Sequence, residues 1–133
     1  MITALDTSVL LDVLGADPVH GPASAAALRA AIDAGSLVAC EVVWAETAAF
    51  FPSGAEAATA LGRLGLRFEP LDEACALAAA DAWRAYRRPG GRRERVVADF
   101  LIGAHAVQHA ERLLTRDRGF FRSYFAGLAV IAP

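Results

Sequence analysis

The feature that most constrains the fold of this chain is a regular alternation of short apolar segments with longer, alanine-rich ones. Short apolar runs bounded by turn residues predict buried strands, and the longer segments between them predict helices. Strands that alternate with helices from end to end predict an α/β domain with a mainly parallel sheet and helices on both faces. The predicted strands comprise residues 2–5, 37–39, 66–68, 112–114 and 128–131.

The predicted helices begin and end at residues with known capping preferences. Ser53 is expected to cap a helix, Gly35 and Gly65 to follow helix ends, and Pro52 to stop one. The predicted helices comprise residues 9–14, 23–34, 41–51, 55–64, 72–86 and 96–110, with 16–22 as a loop and 117–124 as a loop or short helix. Neither an internal repeat nor a linker is visible, so we expect residues 1–133 to form a single domain.

Composition excludes several classes of function. All 13 basic residues are arginine, and the absence of lysine excludes a P-loop, which requires one. No apolar run approaches the roughly 20 residues of a membrane-spanning helix, and no secretory signal is visible at the N-terminus. We therefore expect a cytoplasmic protein that does not associate with membranes.

Four acidic residues stand where an α/β fold places ligand sites. Asp6 directly follows the first predicted strand, and Asp117 follows the strand at 112–114 by a short turn. Asp99 lies in the first turn of its predicted helix, and Glu46 lies in the middle of another. Because ligands bind at the carboxyl ends of parallel strands, Asp6, Asp99 and Asp117 are candidate site residues.

Asp6 and Glu46 each have a structural alternative. Asp6 is well placed to cap the helix that follows it, although Ser8 could do this equally well and free Asp6 for a ligand. Glu46 has Val43 and Phe50 as helical neighbours, so it is expected on an apolar face, where a carboxylate needs compensation by a metal ion or an arginine. Otherwise Glu46 extends out of a mostly apolar helix.

Asp99 and Asp117 have alternatives as well. Asp99 could serve only to favour the positive end of its helix. Its face continues through Gly103 and Ala106, small residues that permit close packing. Asp117 could be a loop acid paired with a neighbouring arginine, and the Thr115 hydroxyl could hold its carboxylate. A Mg²⁺ site, however, needs carboxylates from separate parts of the chain as ligands. Carboxylates that lie close together repel one another unless a cation is bound between them.

Together these residues resemble a known family. The segments at 6–11 (Asp-Thr-Ser-Val-Leu-Leu), 99–106 (Asp-Phe-Leu-Ile-Gly-Ala-His-Ala) and 114–120 (Leu-Thr-Arg-Asp-Arg-Gly-Phe), with Glu46 in its helix, resemble PIN-domain ribonucleases. The size and layout resemble the VapC-type toxins of bacterial toxin–antitoxin pairs. Each motif alone is weak, but four in this order and spacing cover essentially the whole chain.

The resemblance implies a three-layer fold with a parallel five-stranded sheet between helices. It implies an Mg²⁺- or Mn²⁺-dependent endoribonuclease that cleaves tRNA or rRNA, forms a homodimer and is neutralised by a cognate VapB-type antitoxin. Many relatives carry a further acid where this chain has Gly119, so a second metal ion would be weak or absent. By position, the acidic quartet comprises Asp6, Glu46, Asp99 and Asp117, and the supporting hydroxyls are those of Ser8 and Thr115.

A group of arginines is a candidate for RNA binding, because a site that acts on a polyanion needs a local positive field. The alternatives are a solvated loop, or arginines that pair with acids of this chain or of the antitoxin. The candidate RNA-binding residues are Arg87, Arg88, Arg92, Arg93, Arg95 and Arg116.

Ligands for softer metals are not expected to form a site. His105 and His109 have a spacing that can bind Zn²⁺, but the H-E-x-x-H motif is absent and no third ligand is near in sequence. Cys40 and Cys75 are widely spaced and are interpreted as reduced packing residues. The aromatic residues at 120, 121, 124 and 125 are expected to pack the end of the chain rather than to stack on bases.

Two other functions are rivals to the nuclease. A phosphatase that uses Asp6 as its nucleophile would carry a second acid two residues later, where this chain has Ser8. A PIN-like module that only binds RNA or protein is the second rival. The four acids argue against it, because a module without catalysis has no reason to keep them together. It is nevertheless the alternative to the nuclease.

Overall fold

Five short parallel strands form the centre of the computed structural model, which describes residues 1–88 and 95–133. Every strand pairing within these residues is parallel, as predicted. The strand order is β3-β2-β1-β4-β5, so the chain starts in the middle and crosses over once between β3 and β4. The strands are β1 (Ile2–Leu5), β2 (Ser36–Ala39), β3 (Leu66–Phe68), β4 (Arg112–Leu114) and β5 (Ala129–Ile131).

Helices occupy the connections and cover the sheet, which confirms the predicted three-layer α/β fold. The segment that was predicted as a loop or short helix after β4 is a helix. None of the described helices is long and apolar enough to cross a lipid bilayer. The helices are α1 (Thr7–Leu14), α2 (Gly21–Ala34), α3 (Glu41–Ala48), α4 (Gly54–Arg63), α5 (Glu73–Arg87), α6 (Val97–His109) and α7 (Arg118–Tyr124).

The core lies on the three central strands, because a parallel sheet covered on both faces buries both sets of side chains. Leu5, Val38 and Leu113 are almost fully buried on neighbouring strands. Phe100 of α6 is equally buried and contacts the ring of Phe120 edge-on, with 5.2 Å between ring centroids. The short apolar runs of the sequence therefore mark the inner strands correctly.

Several helix boundaries differ from the prediction for local reasons. α1 begins at Thr7 because Asp6, and not Ser8, occupies its N-cap position. α2 begins at Gly21, within the predicted loop, because a proline is tolerated in the first turn of a helix. α3 ends at Ala48, three residues before the predicted end, while Ser53 caps α4 as predicted by accepting from the Glu56 amide at 3.2 Å.

The C-terminal aromatic residues pack against α6, as predicted. Phe121 and Phe125 are buried, and Phe125 lies against Gly103 on the small-residue face of α6. A Cβ atom added at Gly103 would lie 2.3 Å from Cε2 of Phe125. The predicted close approach at this face of α6 is thus made by the C-terminal segment.

We predict that Gly103→Ala lowers the free energy of unfolding by about 1–3 kcal/mol, the usual cost of overpacking a core. The double variant with Phe125→Leu should recover part of the lost stability, because the smaller leucine side chain leaves room for the added methyl group. Urea denaturation monitored by circular dichroism would measure both. Gly62→Ala in α4 is the control, because its added Cβ meets nothing within 4 Å; equal destabilisation by this control would contradict the packing explanation.

Candidate active site

Asp6 lies at the carboxyl end of β1 and is held there by β4. The two strands pair in register up to Leu5 and Leu114, and the Asp6 amide donates to the Leu114 carbonyl at 3.1 Å. The next residue of β4 is Thr115, whose buried hydroxyl donates to Asp6 Oδ2 at 2.6 Å. Strand pairing therefore fixes the position of Asp6, and one hydroxyl fixes the orientation of its carboxylate.

The carboxylate of Asp6 caps α1 and keeps acceptor capacity for a ligand. Its Oδ1 accepts from the Thr7 amide at 2.8 Å, so Asp6 is the N-cap of α1. A carboxylate has about four acceptor positions, and these two bonds leave capacity for a ligand. The idea that Ser8 replaces Asp6 as the cap is wrong, because Ser8 lies inside the first turn. Its Oγ is buried and has no hydrogen-bond partner among the described residues.

Asp117 is positioned by the same threonine. Its amide donates to Thr115 Oγ1 at 3.0 Å, so this hydroxyl connects Asp117 to Asp6. The carboxylate of Asp117 forms an ion pair with Arg95, whose guanidinium lies 4.3 Å from the centre of the Phe120 ring. Asp117 is therefore paired with an arginine, as its structural alternative predicted, and this arginine belongs to the site.

Asp99 and Glu46 complete the group from two different helices. Asp99 lies in the first turn of α6, where its Oδ2 faces the Val96 amide at 3.4 Å and an Arg95 nitrogen at 4.0 Å. Glu46 Oε1 accepts from the Thr7 hydroxyl at 2.7 Å. The expectation that Glu46 lies on a buried apolar face is wrong: it is exposed at the rim of the site.

The four acids, together with Thr7 and Ser8, line one open cleft of about 450 Å³. The side chains come from β1, α1, α3, α6 and the turn after β4. The cleft lies beside the β1–β4 pair, where the strand order changes direction and where open α/β sheets bind ligands. The structure thus brings the whole predicted quartet to one place, with Thr115 behind it.

The cleft is electrostatically negative, and the pKa values of its acids reflect this. Burial raises the pKa of Asp6; the bonds from Thr115 and Thr7 oppose this, and the charges of Asp99 and Glu46 raise the pKa further. Burial likewise raises the pKa of Asp99, which the Val96 amide and Arg95 partly oppose. Both shifts mean that ionising these carboxyl groups costs free energy in this environment.

The donor atoms of the cleft fit a hard divalent cation. They are carboxylate and hydroxyl oxygens, which Mg²⁺ and Mn²⁺ prefer, and the unpartnered Ser8 hydroxyl is among them. Among the described residues, the cluster that brings three donor atoms within 4.8 Å of one another is a different one, so the quartet is more widely spaced. Mg²⁺ usually keeps several waters and needs only one or two direct carboxylates.

The candidate RNA-binding arginines occupy different environments. Arg95 lies at the cleft between Asp117 and Asp99. Arg87 and Arg88 are exposed at the end of α5, where the Arg87 guanidinium lies 5.7 Å from the centre of the Trp83 ring. Arg92 and Arg93 lie outside the described residues. Arg116 lines the cleft as well.

The sequence interpretation missed the residue that holds Arg116. Asp12 is 3% exposed, accepts from Arg116 at 2.8 and 3.2 Å, and accepts from the Ser24 hydroxyl at 2.7 Å. The available signal was a charged residue between the apolar Leu11 and Val13 in the helix predicted at 9–14. Thr7, which orients Glu46, was also missed, because nothing local connects it to α3.

The fold and the cleft together define the class of protein: an α/β domain with an acidic cleft where the strand order changes direction. The sequence profile of the PIN domain matches residues 3–126, so the chain belongs to the PIN domain family, as the resemblance in its sequence predicted. No curated protein sequence matches the chain.

Solved structures with this fold include toxin–antitoxin proteins. FitAcB from Neisseria gonorrhoeae is 28% identical with a TM-score of 0.66, over 98% of this chain and 96% of that one. VapBC2 from Rickettsia felis, bound to a DNA fragment from its promoter, is 17% identical with a TM-score of 0.75, over 99% and 98%. Mycobacterium tuberculosis VapC20, described as a toxin that cleaves the sarcin–ricin loop, is 18% identical with a TM-score of 0.60, over 95% and 98%. At 17% and 18% identity, the last two structures are similar to this chain in fold alone.

We predict that Asp99→Asn stabilises the metal-free protein at neutral pH. Because the folded protein raises the pKa of Asp99, ionisation costs stability as the pH rises above about 3.9, the pKa of an unfolded aspartate. The gain should be less than about 1 kcal/mol, because the carboxyl is partly solvated, and should disappear near pH 3, where both states are protonated.

Denaturation in EDTA across this pH range would measure the effect. Asp33→Asn is the control, because Asp33 is exposed on α2 away from the cleft. If Asp99→Asn instead lowers the free energy of unfolding at neutral pH, the ionised carboxylate stabilises the fold and the prediction is wrong.

Proposed function

We propose that this protein is a metal-dependent endoribonuclease and the toxin of a VapC-type toxin–antitoxin pair. The observation that carries the proposal is the convergence of Asp6, Glu46, Asp99 and Asp117 on one cleft. Carboxylates from four separate segments repel one another, and a fold gains nothing from assembling them unless a cation joins them.

In this proposal the four carboxylates hold Mg²⁺ or Mn²⁺. When bound, such a cation lowers the pKa of a water molecule and neutralises charge on the scissile phosphate. The chain's own contribution is to position the ligands: the Thr115 hydroxyl orients Asp6, and the Thr7 hydroxyl orients Glu46. Ser8 offers an additional oxygen at the floor of the cleft.

The substrate in this proposal is structured RNA, either tRNA or rRNA. Arg95 lies where it can contact a phosphate that reaches the acids, and Arg87 and Arg88 extend the positive charge along the end of α5. Arg116 would contribute charge at the wall of the cleft while it stays paired with Asp12. Arg92 and Arg93 are proposed to bind RNA from their place in the sequence alone.

The partner in this proposal is a VapB-type antitoxin that blocks the cleft. The support is that similar folds occur in toxin–antitoxin proteins, such as VapBC2 of Rickettsia felis and a toxin–antitoxin complex from Klebsiella pneumoniae. We also propose that the protein is a single cytoplasmic domain, from its sequence, and that it forms a homodimer, from the family resemblance. The alternative function is a non-catalytic PIN-like module that binds RNA or protein.

We predict that the purified protein, free of antitoxin, cleaves RNA into discrete fragments with Mg²⁺ or Mn²⁺ and that EDTA abolishes cleavage. Asp6→Asn should reduce the rate by about 100-fold or more, beyond the roughly 10–100-fold cost of losing a group that only supports a metal ligand. RNA binding should remain, because the arginines are unchanged. Gel analysis of tRNA and rRNA pools, with mapping of fragment ends, would measure this.

Asp33→Asn is the matched control, since it makes the same chemical change on an exposed face of α2. It should cleave at the rate of the unaltered protein. Intact RNA across varied pools, from folded protein in the presence of either metal, would exclude the nuclease and favour the binding module.

We predict that Gly119→Asp lowers the metal concentration needed for half-maximal cleavage, because it restores the acid that many relatives carry near the last aspartate. The position can accept a side chain, because an added Cβ meets none of the described atoms within 4 Å. Gly119→Ala is the control that adds the Cβ without the carboxylate. An unchanged metal requirement in Gly119→Asp would show that residue 119 does not face the metal site.

A further inference from the structure

A second cluster of metal-ligating side chains lies at the other end of α6. His109 is the last residue of this helix, about 15 Å along its axis from Asp99 at roughly 1.5 Å per residue. Asp72 and Cys75 belong to the start of α5. One ligand atom from each of these three residues lies within 4.8 Å of the other two, and no other group of the described residues does this.

The cap of α5 builds this arrangement. Asp72 Oδ1 accepts from the Cys75 amide at 2.9 Å, which keeps the carboxylate beside the cysteine. Its second oxygen, Oδ2, lies 2.8 Å from His109 Nε2. The third ligand that sequence spacing did not provide for His109 is therefore supplied by the packing of α5 on α6.

The carboxylate of Glu69 lies on the other side of the His109 imidazole. Its Oε1 is 3.7 Å from Nδ1, the ring nitrogen that faces away from Asp72, which is ion-pair distance but too long for a hydrogen bond. A carboxylate near the outer nitrogen is a common neighbour of a metal-ligating histidine. His105 is not part of this cluster, whose ligand atoms come from Asp72, Cys75 and His109; its Nε2 is hydrogen-bonded to the Glu69 carbonyl at 2.8 Å.

We propose that Asp72, Cys75 and His109 form a Zn²⁺ site that ties the start of α5 to the end of α6. A thiolate, an imidazole and a carboxylate are the ligand types that Zn²⁺ binds, whereas Mg²⁺ avoids sulfur. The side chain of Asp72 is 49% exposed, so a water molecule can supply the fourth ligand. On binding, the S–H bond of Cys75 breaks, an S–Zn bond forms and the proton passes to solvent.

The response of Cys75 tells metal binding from an ordinary ion pair. Its thiol is fully buried, and burial raises its pKa to about 11, so it is protonated without a metal. Asp72 contacts both Cys75 and His109 in the metal-free protein. The ion pair leaves the S–H bond of Cys75 intact, whereas Zn²⁺ binding replaces it with an S–Zn bond.

The test is titration of the reduced, metal-free full chain with Co²⁺ as a spectroscopic probe for Zn²⁺. We expect one equivalent to produce a thiolate-to-cobalt charge-transfer band, which one equivalent of Zn²⁺ removes. Cys75→Ser should abolish the band. His109→Gln should weaken Co²⁺ binding at least about 100-fold, beyond the roughly 10–100-fold expected for Glu69→Gln.

Two matched controls and one independent variant complete the design. Cys40→Ser removes the other buried thiol, and His20→Gln alters an exposed histidine, so both should retain the band. Asp6→Asn should also retain it, which makes the result independent of the proposed nuclease. His109→Gln keeps the test decisive should Cys75→Ser fail to fold, because the His109 side chain is 23% exposed and outside the core.

A folded protein that gives no thiolate band with Co²⁺ overturns the proposal. So does a band that survives Cys75→Ser or is indifferent to His109→Gln. Loss of the band in Cys40→Ser but not in Cys75→Ser would place the metal elsewhere and would equally overturn it.

Discussion

The hydroxyl group of Thr115 is the interaction on which the acidic cleft depends most. It donates to Asp6 at 2.6 Å and accepts from the Asp117 amide at 3.0 Å, so one buried atom links two acids from distant parts of the chain. This link exists only because β1 and β4 are neighbours in register. The crossover that makes them neighbours also reverses the strand order, which opens the cleft above them. Fold and site are therefore consequences of the same strand pairing.

The charge balance of the cleft follows from that convergence. Within residues 1–88 and 95–133, five carboxylates (the quartet and Asp12) and two arginines, Arg95 and Arg116, lie at the cleft or beside it, a formal excess of three negative charges. The guanidinium of Arg116 is occupied by Asp12, and that of Arg95 by Asp117. A cleft of this charge attracts divalent cations and repels RNA phosphates. In the proposed nuclease, cation binding therefore has to precede productive RNA binding.

The sequence predicted the strands, and the positions of Asp6, Asp99 and Asp117 near one another, because these depend on short-range patterns. The short apolar runs of β1 and β4 place Asp6 and Asp117 just after the ends of these strands. Asp99 lies in the first turn of α6. The sequence interpretation failed on Glu46, because a helical pattern shows which residues share a face but not whether that face is covered. It also missed the pair of Asp12 and Arg116, which are 104 residues apart and meet only after folding.

The same limit explains why the second metal cluster could not be predicted. His109 has no third ligand within its own helix, and Asp72 and Cys75 come near it only because α5 packs on α6. The two clusters differ in chemistry as well as in place: one offers only oxygen, and the other offers sulfur, nitrogen and oxygen. Zn²⁺ binds most protein sites more tightly than Mg²⁺ or Mn²⁺ does, so selectivity must come from ligand type. A thiolate site at one end of α6 would bind Zn²⁺ preferentially, while the oxygen-lined cleft at the other end stays available to the more abundant hard cation.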